Sequence, residues 1–184
     1  MSKKVLVALA DGFEEIEAVS IIDVLRRGGL DVTVAGVGKR EIVGAHRITV
    51  QADIKLEDVK FSPDAVILPG GMPGADNLKK SSVLKKLLED MNKSNKVIGA
   101  ICAAPAVTLA AHGILHGRKA TCYPGYENQF GSETTFISDR VVRDKNIITS
   151  RGPGTAIEFA LEIVSALVSK EKCEELSKAM LVKP

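Results

Sequence analysis

The chain has 184 residues and a mass of 19.6 kDa, the size of one globular domain with a sizeable core. Its 25 basic and 23 acidic residues leave a formal net charge of +2, which gives no support for a nucleic-acid-binding protein. No apolar stretch is long enough to cross a bilayer, and the short apolar run before Asp11 is too brief for the core of a signal peptide.

Cysteine usage favours a reducing compartment. Cys102, Cys122 and Cys173 are odd in number and widely spaced, so they match neither a disulfide framework nor a zinc site. The three histidines also lack the spacing of metal ligands. We therefore expect a cytoplasmic protein that binds no metal, no membrane and no nucleic acid.

Strand-like apolar runs alternate with helix-like periodic segments along the chain. Strands are predicted at residues 4–10, 31–37, 47–53, 64–71, 96–101, 119–123, 139–145 and 146–150. Helices are predicted at residues 13–29, 76–92, 105–113, 155–169 and 170–181. No linker, repeat or low-complexity tract divides the chain, so residues 1–184 are predicted to form a single domain.

This alternation predicts an α/β fold with a doubly wound, mostly parallel sheet and helices on both faces. Several strands are near-continuous Val, Ile and Leu runs, which is typical of strands buried on both faces. Ligands of such sheets bind at the carboxyl ends of the strands.

Glycine-rich turns follow several of the predicted strands. The turn PGGMPG, which begins at Pro69, contains Gly70 and Gly71, whose backbone can turn sharply and present bare N–H groups. It matches neither G-x-G-x-x-G nor the P-loop, so no nucleotide site is indicated, and a tight turn without a ligand is the alternative. Further along, Thr155 and Glu158 have the spacing of a capping box, which predicts a structural role.

Cys102 lies at the junction of a predicted strand and a predicted helix. The unpaired N–H groups at a helix N-terminus favour a thiolate, so this position predicts a lowered pKa for Cys102. The neighbouring residues are small, as in a strand–nucleophile–helix elbow. The alternative is a buried, unreactive cysteine, because free cysteine is among the most buried residue types.

Glu17 is an acidic residue on the apolar arc of the first predicted helix. At about 100° per residue it falls on the face expected to be buried, where a carboxyl has a raised pKa. The alternative is an acid at the edge of the arc that pairs with Arg27 or Lys4. Glu14 lies on the same arc, but in the first turn, where the helix dipole explains an acid.

Five segments together resemble the ThiJ/PfpI superfamily, and more narrowly its DJ-one branch. They are GFEEIEAV (12–19), DVLRRGG (23–29), VILPGGMPGADNL (66–78), IGAICAAPAVTLA (98–110) and ITSRGPGTAIEFAL (148–161). The resemblance implies a flavodoxin-like α/β protein that forms a homodimer and uses no cofactor. It also implies that Cys102 is the nucleophile, that Glu17 is the acid at its sulfur, and that the backbone N–H groups of Gly70, Gly71 and Ala103 bind an anion.

The activity that this resemblance implies is that of a glutathione-independent glyoxalase or deglycase. Its substrates are methylglyoxal, glyoxal and their early adducts with amines or thiols, and the protein protects against carbonyl and oxidative stress. The alternative is a redox-sensing chaperone whose Cys102 is oxidised to a sulfinate. A peptidase or amidase is disfavoured, because superfamily peptidases carry histidine where this chain has Ala103.

Accessory residues follow from the same resemblance. Many members of the branch have a histidine in the segment ATCYPGYEN, where this chain has Tyr123, so a Cys–His pair is not expected. Arg47 matches a family arginine near the dimer interface, and the alternative is an edge-strand charge. Tyr123, Arg47, Arg27 and Glu14 are therefore accessory candidates.

Overall fold

A computed structural model describes residues 2–182; residues 1, 183 and 184 of the predicted domain lie outside the described part. The strands are β1 (Lys4–Leu9), β2 (Asp31–Gly36), β3 (Glu41–Val43), β4 (Thr49–Gln51), β5 (Ile54–Lys55), β6 (Ala65–Leu68), β7 (Val97–Ile101), β8 (Lys119–Ala120), β9 (Thr135–Phe136), β10 (Val141–Asp144) and β11 (Ile147–Ser150). The α-helices are α1 (Glu15–Arg27), α2 (Gly74–Lys80), α3 (Ser82–Lys93), α4 (Ala156–Leu167) and α5 (Lys170–Ala179).

Seven strands form the central sheet in the order β10-β11-β7-β6-β1-β2-β5. Every neighbouring pair is parallel except β10 with β11. β6 is buried throughout, and β1 and β7 are buried beyond their first residue, because both faces of the sheet are covered. The predicted doubly wound, mostly parallel α/β sheet is confirmed. The single-domain assignment stays a prediction.

The order of the strands determines where the ligand-binding crevice lies. From β1 the chain crosses to β2 on one side, whereas β6, β7 and β11 extend the sheet on the other side. α1 packs against α4, α3 covers β6 and β7, and α2 contacts β1 and α3. In such a sheet the crevice lies outside the carboxyl ends of the strands where the direction reverses, which here are β1 and β6.

Two predicted elements differ from the structure near this crevice. The strand expected at 47–53 does not join the central sheet; β4 instead pairs antiparallel with β3 in a separate hairpin. The helix expected at 76–92 is two helices, α2 and α3. They separate at Ser81, whose extended backbone ends α2 and whose hydroxyl accepts a hydrogen bond from the N–H of Leu84 to cap α3.

The helix expected at 105–113 also departs from α-helical geometry. Pro105–Leu109 is a π-helical turn that continues into a 3₁₀ turn at Ala110–His112, and Gly113 ends it with φ of 70°. π-Helical turns frequently occur at functional sites. The strand expected at 119–123 is confined to β8. Among residues 2–182, no helix combines the length and apolar character that crossing a membrane requires.

Candidate active site

Cys102 follows the last residue of β7 and has an unusual backbone conformation. Its φ is 62°, in the left-handed region that non-glycine residues rarely adopt. Its N–H donates to the carbonyl of Ser150 at 3.0 Å, and its carbonyl accepts from the N–H of Tyr123 at 2.8 Å. The strained turn is thus held from two neighbouring segments, as expected of a strand–nucleophile–helix elbow. The side chain is almost enclosed, since only 9% of the residue's surface is exposed.

Glu17 lies on the buried face of α1 and reaches the turn after β6. Its Oε2 accepts a hydrogen bond of 2.7 Å from the N–H of Gly70. Among residues 2–182 its buried Oε1 has no well-formed hydrogen bond, and the Cys102 thiol interacts with this carboxyl. Burial raises the pKa of Glu17 to about 7, although the Gly70 and Cys102 interactions oppose that rise. The predicted burial and raised pKa are therefore found, and a pairing of Glu17 with Arg27 or Lys4 is not.

The prediction that the pKa of Cys102 is lowered is wrong, because the pKa of this thiol beside Glu17 is raised. Burial raises the pKa of Cys102 to about 12, and the negative charge of Glu17 adds to this rise. The N–H groups of Gly71 and Ala103 act in the opposite direction, as predicted for donors near a helix start, but burial outweighs them. The two groups therefore share a single negative charge, because ionising both in this enclosed space costs too much free energy.

The predicted anion pocket needs one correction. Gly70 already donates its N–H to Glu17, so this donor is not free for an anion. The N–H groups of Gly71 and Ala103 face the sulfur. Gly70 has a steric role instead, because a Cβ there would lie 2.6 Å from the Cβ of Cys102. Gly71 also has to be glycine, since its φ is 89° and a Cβ would lie 2.4 Å from the backbone nitrogen of Glu14.

Of the accessory candidates, Tyr123 and Glu14 lie close to the Cys102–Glu17 pair, and Arg27 does not. Tyr123 binds Cys102 through its backbone, and its partly exposed ring lies against Gly152. Glu14 precedes α1, donates its N–H to the carbonyl of Gly70 at 3.0 Å, and its charge contributes to the raised pKa of Glu17. Arg27 lies away from the pair, in an exposed ion pair with Asp23.

Arg47 is an exposed residue in the turn between β3 and β4, with φ of 67°. The alternative that it is an edge-strand charge is therefore wrong, because its backbone is not in a strand. The structure places its side chain in no hydrogen bond or ion pair among the described residues. A role at a subunit interface stays a prediction.

The predicted capping box at Thr155 and Glu158 is also wrong. The hydroxyl of Thr155 accepts from the N–H of Gly152 at 3.1 Å and lies 2.6 Å from the hydroxyl of Ser150. Glu158 forms an ion pair with Arg140 at 2.7 Å. Thr155 thus ties down the chain immediately after β11, whose Ser150 carbonyl holds the N–H of Cys102.

Sequence reasoning missed the pairing of Glu15 with His46. Nδ1 of His46 lies 2.9 Å from Oε2 of Glu15 and 3.7 Å from Oε1 of Glu14. These three side chains bring ligand-type atoms within 4.8 Å of one another. Oε1 of Glu15 accepts from the backbone N–H groups of His46 and Ile48, so this carboxylate is committed to the turn between β3 and β4. The only sequence signal was a histidine before a predicted strand.

The sheet and the crevice residues define a flavodoxin-like α/β protein with a cysteine–carboxyl pair at the carboxyl edge of the sheet. Residues 3–166 match the model of the DJ-1/PfpI family, which is the superfamily that the sequence motifs resemble. The chain belongs to this family.

Similar proteins cover the whole chain. Protein dj-1beta of Drosophila melanogaster is 46% identical over 187 residues, covering 99% of this chain and 98% of that protein. A Caenorhabditis elegans protein named glutathione-independent glyoxalase DJR-1.2 is 42% identical, covering 91% of this chain and 89% of that protein. The chain spans about half the length of two Arabidopsis thaliana relatives, DJ-1 homologs B and A, namely 42% and 47%.

Solved structures agree with the fold. The crystal structure of Drosophila melanogaster DJ-1beta gives a TM-score of 0.96 at 43% identity and covers 100% of both chains. The structure named Toxoplasma gondii DJ-1, oxidized, gives a TM-score of 0.95 at 41% identity and covers 98% of both chains. The predicted flavodoxin-like fold and the predicted family are thus confirmed.

Proposed function

We propose that this protein is a cofactor-independent glyoxalase that converts small 2-oxoaldehydes, such as methylglyoxal, to 2-hydroxy acids. The observation that carries the proposal is the buried pair of Cys102 and Glu17, with a carboxyl pKa of about 7. A group that titrates near neutral pH can both give and take a proton at working pH. The name of the Caenorhabditis elegans relative supports the same activity.

The first step is addition of sulfur to the aldehyde carbon. When Glu17 holds the proton and Cys102 the negative charge, the thiolate attacks the aldehyde and a C–S bond forms. The carbonyl electron pair moves to oxygen, where the N–H groups of Gly71 and Ala103 stabilise it. Glu17 then gives its proton to this oxygen, and the product is a hemithioacetal with Glu17 ionised.

The second step moves hydrogen between the two carbons. The Glu17 carboxylate takes the proton from the carbon that bears sulfur, which gives an enediolate, and returns it to the neighbouring carbon. The hydroxyl proton on the sulfur-bearing carbon passes to the oxygen of the neighbouring carbon, so that the first carbon becomes a carbonyl. The product is a thioester of the 2-hydroxy acid on Cys102. Water then attacks the thioester, the C–S bond breaks, and Cys102 recovers its proton. The sum is methylglyoxal plus water to lactate, so no external oxidant or reductant is required.

The same residues support a deglycase reaction on early adducts of methylglyoxal. There a C–S bond forms between Cys102 and the aldehyde-derived carbon as the C–N or C–S bond of the adduct breaks, and the leaving amine or thiol takes a proton from Glu17. The resulting hemithioacetal on Cys102 then follows the second step above. The adduct plus water then yields the free amine or thiol and lactate. The test is competition: if Cys102 catalyses both reactions, free methylglyoxal should slow the release of amine or thiol from the adduct.

The direct test is lactate formation from methylglyoxal without glutathione. We expect Cys102→Ser to reduce the rate to that of the uncatalysed reaction, because the hydroxyl is a much poorer nucleophile in this site. Cys173→Ser is the matched control, since Cys173 lies on α5 and should leave the rate unchanged. Full activity of Cys102→Ser would exclude the proposed mechanism.

A second candidate function is a redox-sensing chaperone in which peroxide converts Cys102 to a sulfinate. The observation that favours it is that the N–H groups of Gly71 and Ala103 face the sulfur and lower the free energy of an anion there. Glu17 can donate a hydrogen bond to a sulfinate only when its carboxyl is protonated. Two equivalents of peroxide would oxidise the thiol and be reduced to water. Intact-mass measurement after graded peroxide distinguishes the cases: a gain of two oxygens in the wild type that Cys102→Ser abolishes supports this function, and loss of selectivity for Cys102 contradicts it.

Homodimer formation and a cytoplasmic location are further proposals. Ile16 and Val19 on α1 and Ile48 after the β3–β4 turn are large apolar residues left exposed on one chain. Apolar exposure of this kind marks a surface that is covered in an assembly.

The proposed cytoplasmic location rests on the cysteines. All three are free, which supports a reducing location.

A further inference from the structure

The turn that joins β3 to β4 is fastened to the start of α1 by Glu15 and His46. We propose that His46 is a positioning residue: its protonated imidazole holds this turn against Glu15, and the resulting clamp keeps the start of α1, and therefore Glu17, in position beside Cys102. The inference concerns the proposed glyoxalase site and rests on that function only for its activity measurement.

Glu15 binds the turn through both carboxylate oxygens. Oε1 accepts from the backbone N–H groups of His46 at 2.7 Å and Ile48 at 3.3 Å. Oε2 lies 2.9 Å from Nδ1 of His46. The Glu15 side chain is only 7% exposed, whereas His46 is 68% exposed, so the imidazole closes the outer side of a buried carboxylate. Protonation of His46 makes this contact a charge-assisted hydrogen bond.

The shape of the turn fits the carboxylate closely. A Cβ at Gly44 would lie 2.2 Å from Oε1 and 2.3 Å from Cδ of Glu15. Only glycine therefore allows Glu15 to lie against this part of the backbone. The N–H of Ala45 also donates to the carbonyl of Phe13 at 2.8 Å, so the turn is bound to the residues on both sides of Glu14.

The clamp is continuous with the catalytic pair. Residues 12–14 lie between the clamped turn and the glycine turn after β6. On one side the N–H of Gly12 donates to the carbonyl of Val43, and on the other the N–H of Glu14 donates to the carbonyl of Gly70. Gly70 in turn holds Glu17. Movement of the β3–β4 turn is thereby transmitted to the segment that fixes the Glu17 carboxyl.

Charge gives the clamp a pH dependence. The acidic groups that face the imidazole are Glu15 of α1 and Glu14, which immediately precedes α1. Arg47 adjoins the imidazole in the same turn, and Asp11 in the neighbouring loop pairs with Lys39. The hydrogen bond with Glu15, and then the charges of both glutamates, raise the pKa of His46. The clamp is therefore fully formed below about pH 6.5, the usual pKa of a histidine, where the His46 imidazole is protonated. It is lost as pH rises through the raised pKa of His46.

The first experiment tests the clamp without any substrate. The imidazole pKa of His46 is measured by NMR in the wild type and in Glu15→Gln, and amide hydrogen exchange is measured at Ile48. We expect the pKa of His46 to fall in Glu15→Gln and the Ile48 amide to exchange faster in His46→Gln. His116→Gln is the matched control, because His116 is 73% exposed and its acidic neighbour, at 4.0 Å, is Glu133 rather than Glu14 or Glu15.

The second experiment tests positioning at the site. The rate of Cys102 alkylation by iodoacetamide and the rate of methylglyoxal consumption are measured against pH for the wild type, His46→Gln and His116→Gln. The N–H of Gly70 lowers the pKa of Glu17, so a loosened clamp should weaken this hydrogen bond and raise that pKa. The midpoint of both His46→Gln profiles should therefore move to higher pH by a few tenths of a unit. The His116→Gln profiles should match the wild type.

The outcomes separate this inference from the proposed function. An unchanged alkylation midpoint in His46→Gln overturns the positioning role, even if the Ile48 amide exchanges faster. A shifted alkylation midpoint together with no methylglyoxal consumption by the wild type supports the clamp and refutes the glyoxalase proposal. A shift in both profiles supports both.

Discussion

The backbone N–H of Gly70 donates a hydrogen bond of 2.7 Å to Oε2 of Glu17, although the two residues are 53 positions apart in the chain. This contact fixes one carboxylate oxygen and leaves Oε1 for the Cys102 thiol. It also removes Gly70 from the anion pocket. The chemistry of the site therefore depends on one proton that Cys102 and Glu17 share.

Replacing Glu17 by Gln should abolish most of the activity without losing the Gly70 contact. The amide oxygen of Gln still accepts from Gly70, but the side chain cannot transfer a proton. We expect methylglyoxal consumption to fall by about 100-fold or more, the usual contribution of a general acid–base group. Steady-state kinetics at neutral pH measure this. Near-wild-type kcat in Glu17→Gln would remove the carboxyl from the mechanism.

The pH profile of the wild type should contain a rising limb centred near pH 7. The pair becomes active when it loses its first proton, and burial raises the pKa of Glu17 to about 7. In Glu17→Gln this limb should move towards the higher pKa of the thiol alone, because the only remaining titrating group is Cys102. The measurement is kcat/KM from pH 5 to pH 9. A limb that stays at the same pH in the variant contradicts the assignment.

The same substitution should stabilise the folded protein at alkaline pH. The pKa of Glu17 is raised from 4.5 to about 7 on folding, so its stabilising contribution is complete below pH 4.5 and is lost as pH rises to about 7. Glu17→Gln does not titrate, and its free energy of unfolding at pH 8 should exceed that of the wild type by about 3 kcal/mol. Urea denaturation at pH 4.5 and pH 8 checks this, and an equal difference at both pH values would disprove the burial argument.

Gly71→Ala should damage the site far more than a glycine substitution elsewhere. Gly71 and Gly29 have φ of 89° and 80°, but a Cβ at Gly71 meets the backbone of Glu14 at 2.4 Å, whereas nothing lies within 4 Å of a Cβ at Gly29. Gly29→Ala should cost about 1 kcal/mol for its left-handed backbone alone. Gly71→Ala should cost more and also slow Cys102 alkylation. Equal effects of the two variants on stability and alkylation would show that the close approach at Gly71 has no role.

A charge on the exposed face of α1 should weaken subunit association. Val19→Lys places a charge on the proposed interface, and Val83→Lys makes the same change on α3, on the other half of the sheet. Analytical ultracentrifugation should show a dimer for the wild type and Val83→Lys and a monomer fraction for Val19→Lys. A monomeric wild type at all concentrations refutes the dimer.

Local sequence patterns accounted for the parts of the fold that local forces decide. The apolar runs of β1, β6 and β7 predicted a buried parallel sheet, since a strand buried on both faces must be apolar along its whole length. The apolar arc of α1 placed Glu17 inside, because helical periodicity alone fixes which face a residue occupies. The position of Cys102 at the end of β7, just before a helical segment, was predicted in the same way.

Several features were decided only when distant segments met. The pKa of Cys102 rises because the burial and the Glu17 charge outweigh the N–H groups that sequence reasoning considered. The N–H of Gly70 is taken by Glu17, and Glu15 binds the turn that contains His46.

By itself the sequence determined the buried strands β1, β6 and β7, the buried face of α1 and the place of Cys102 at the end of β7, because each depends on residues within one turn or one strand. Only the tertiary structure decided which proton donors reach which oxygens and how deeply the thiol is enclosed. Those depend on contacts between residues far apart in the chain, and hydrophobic periodicity carries no information about them.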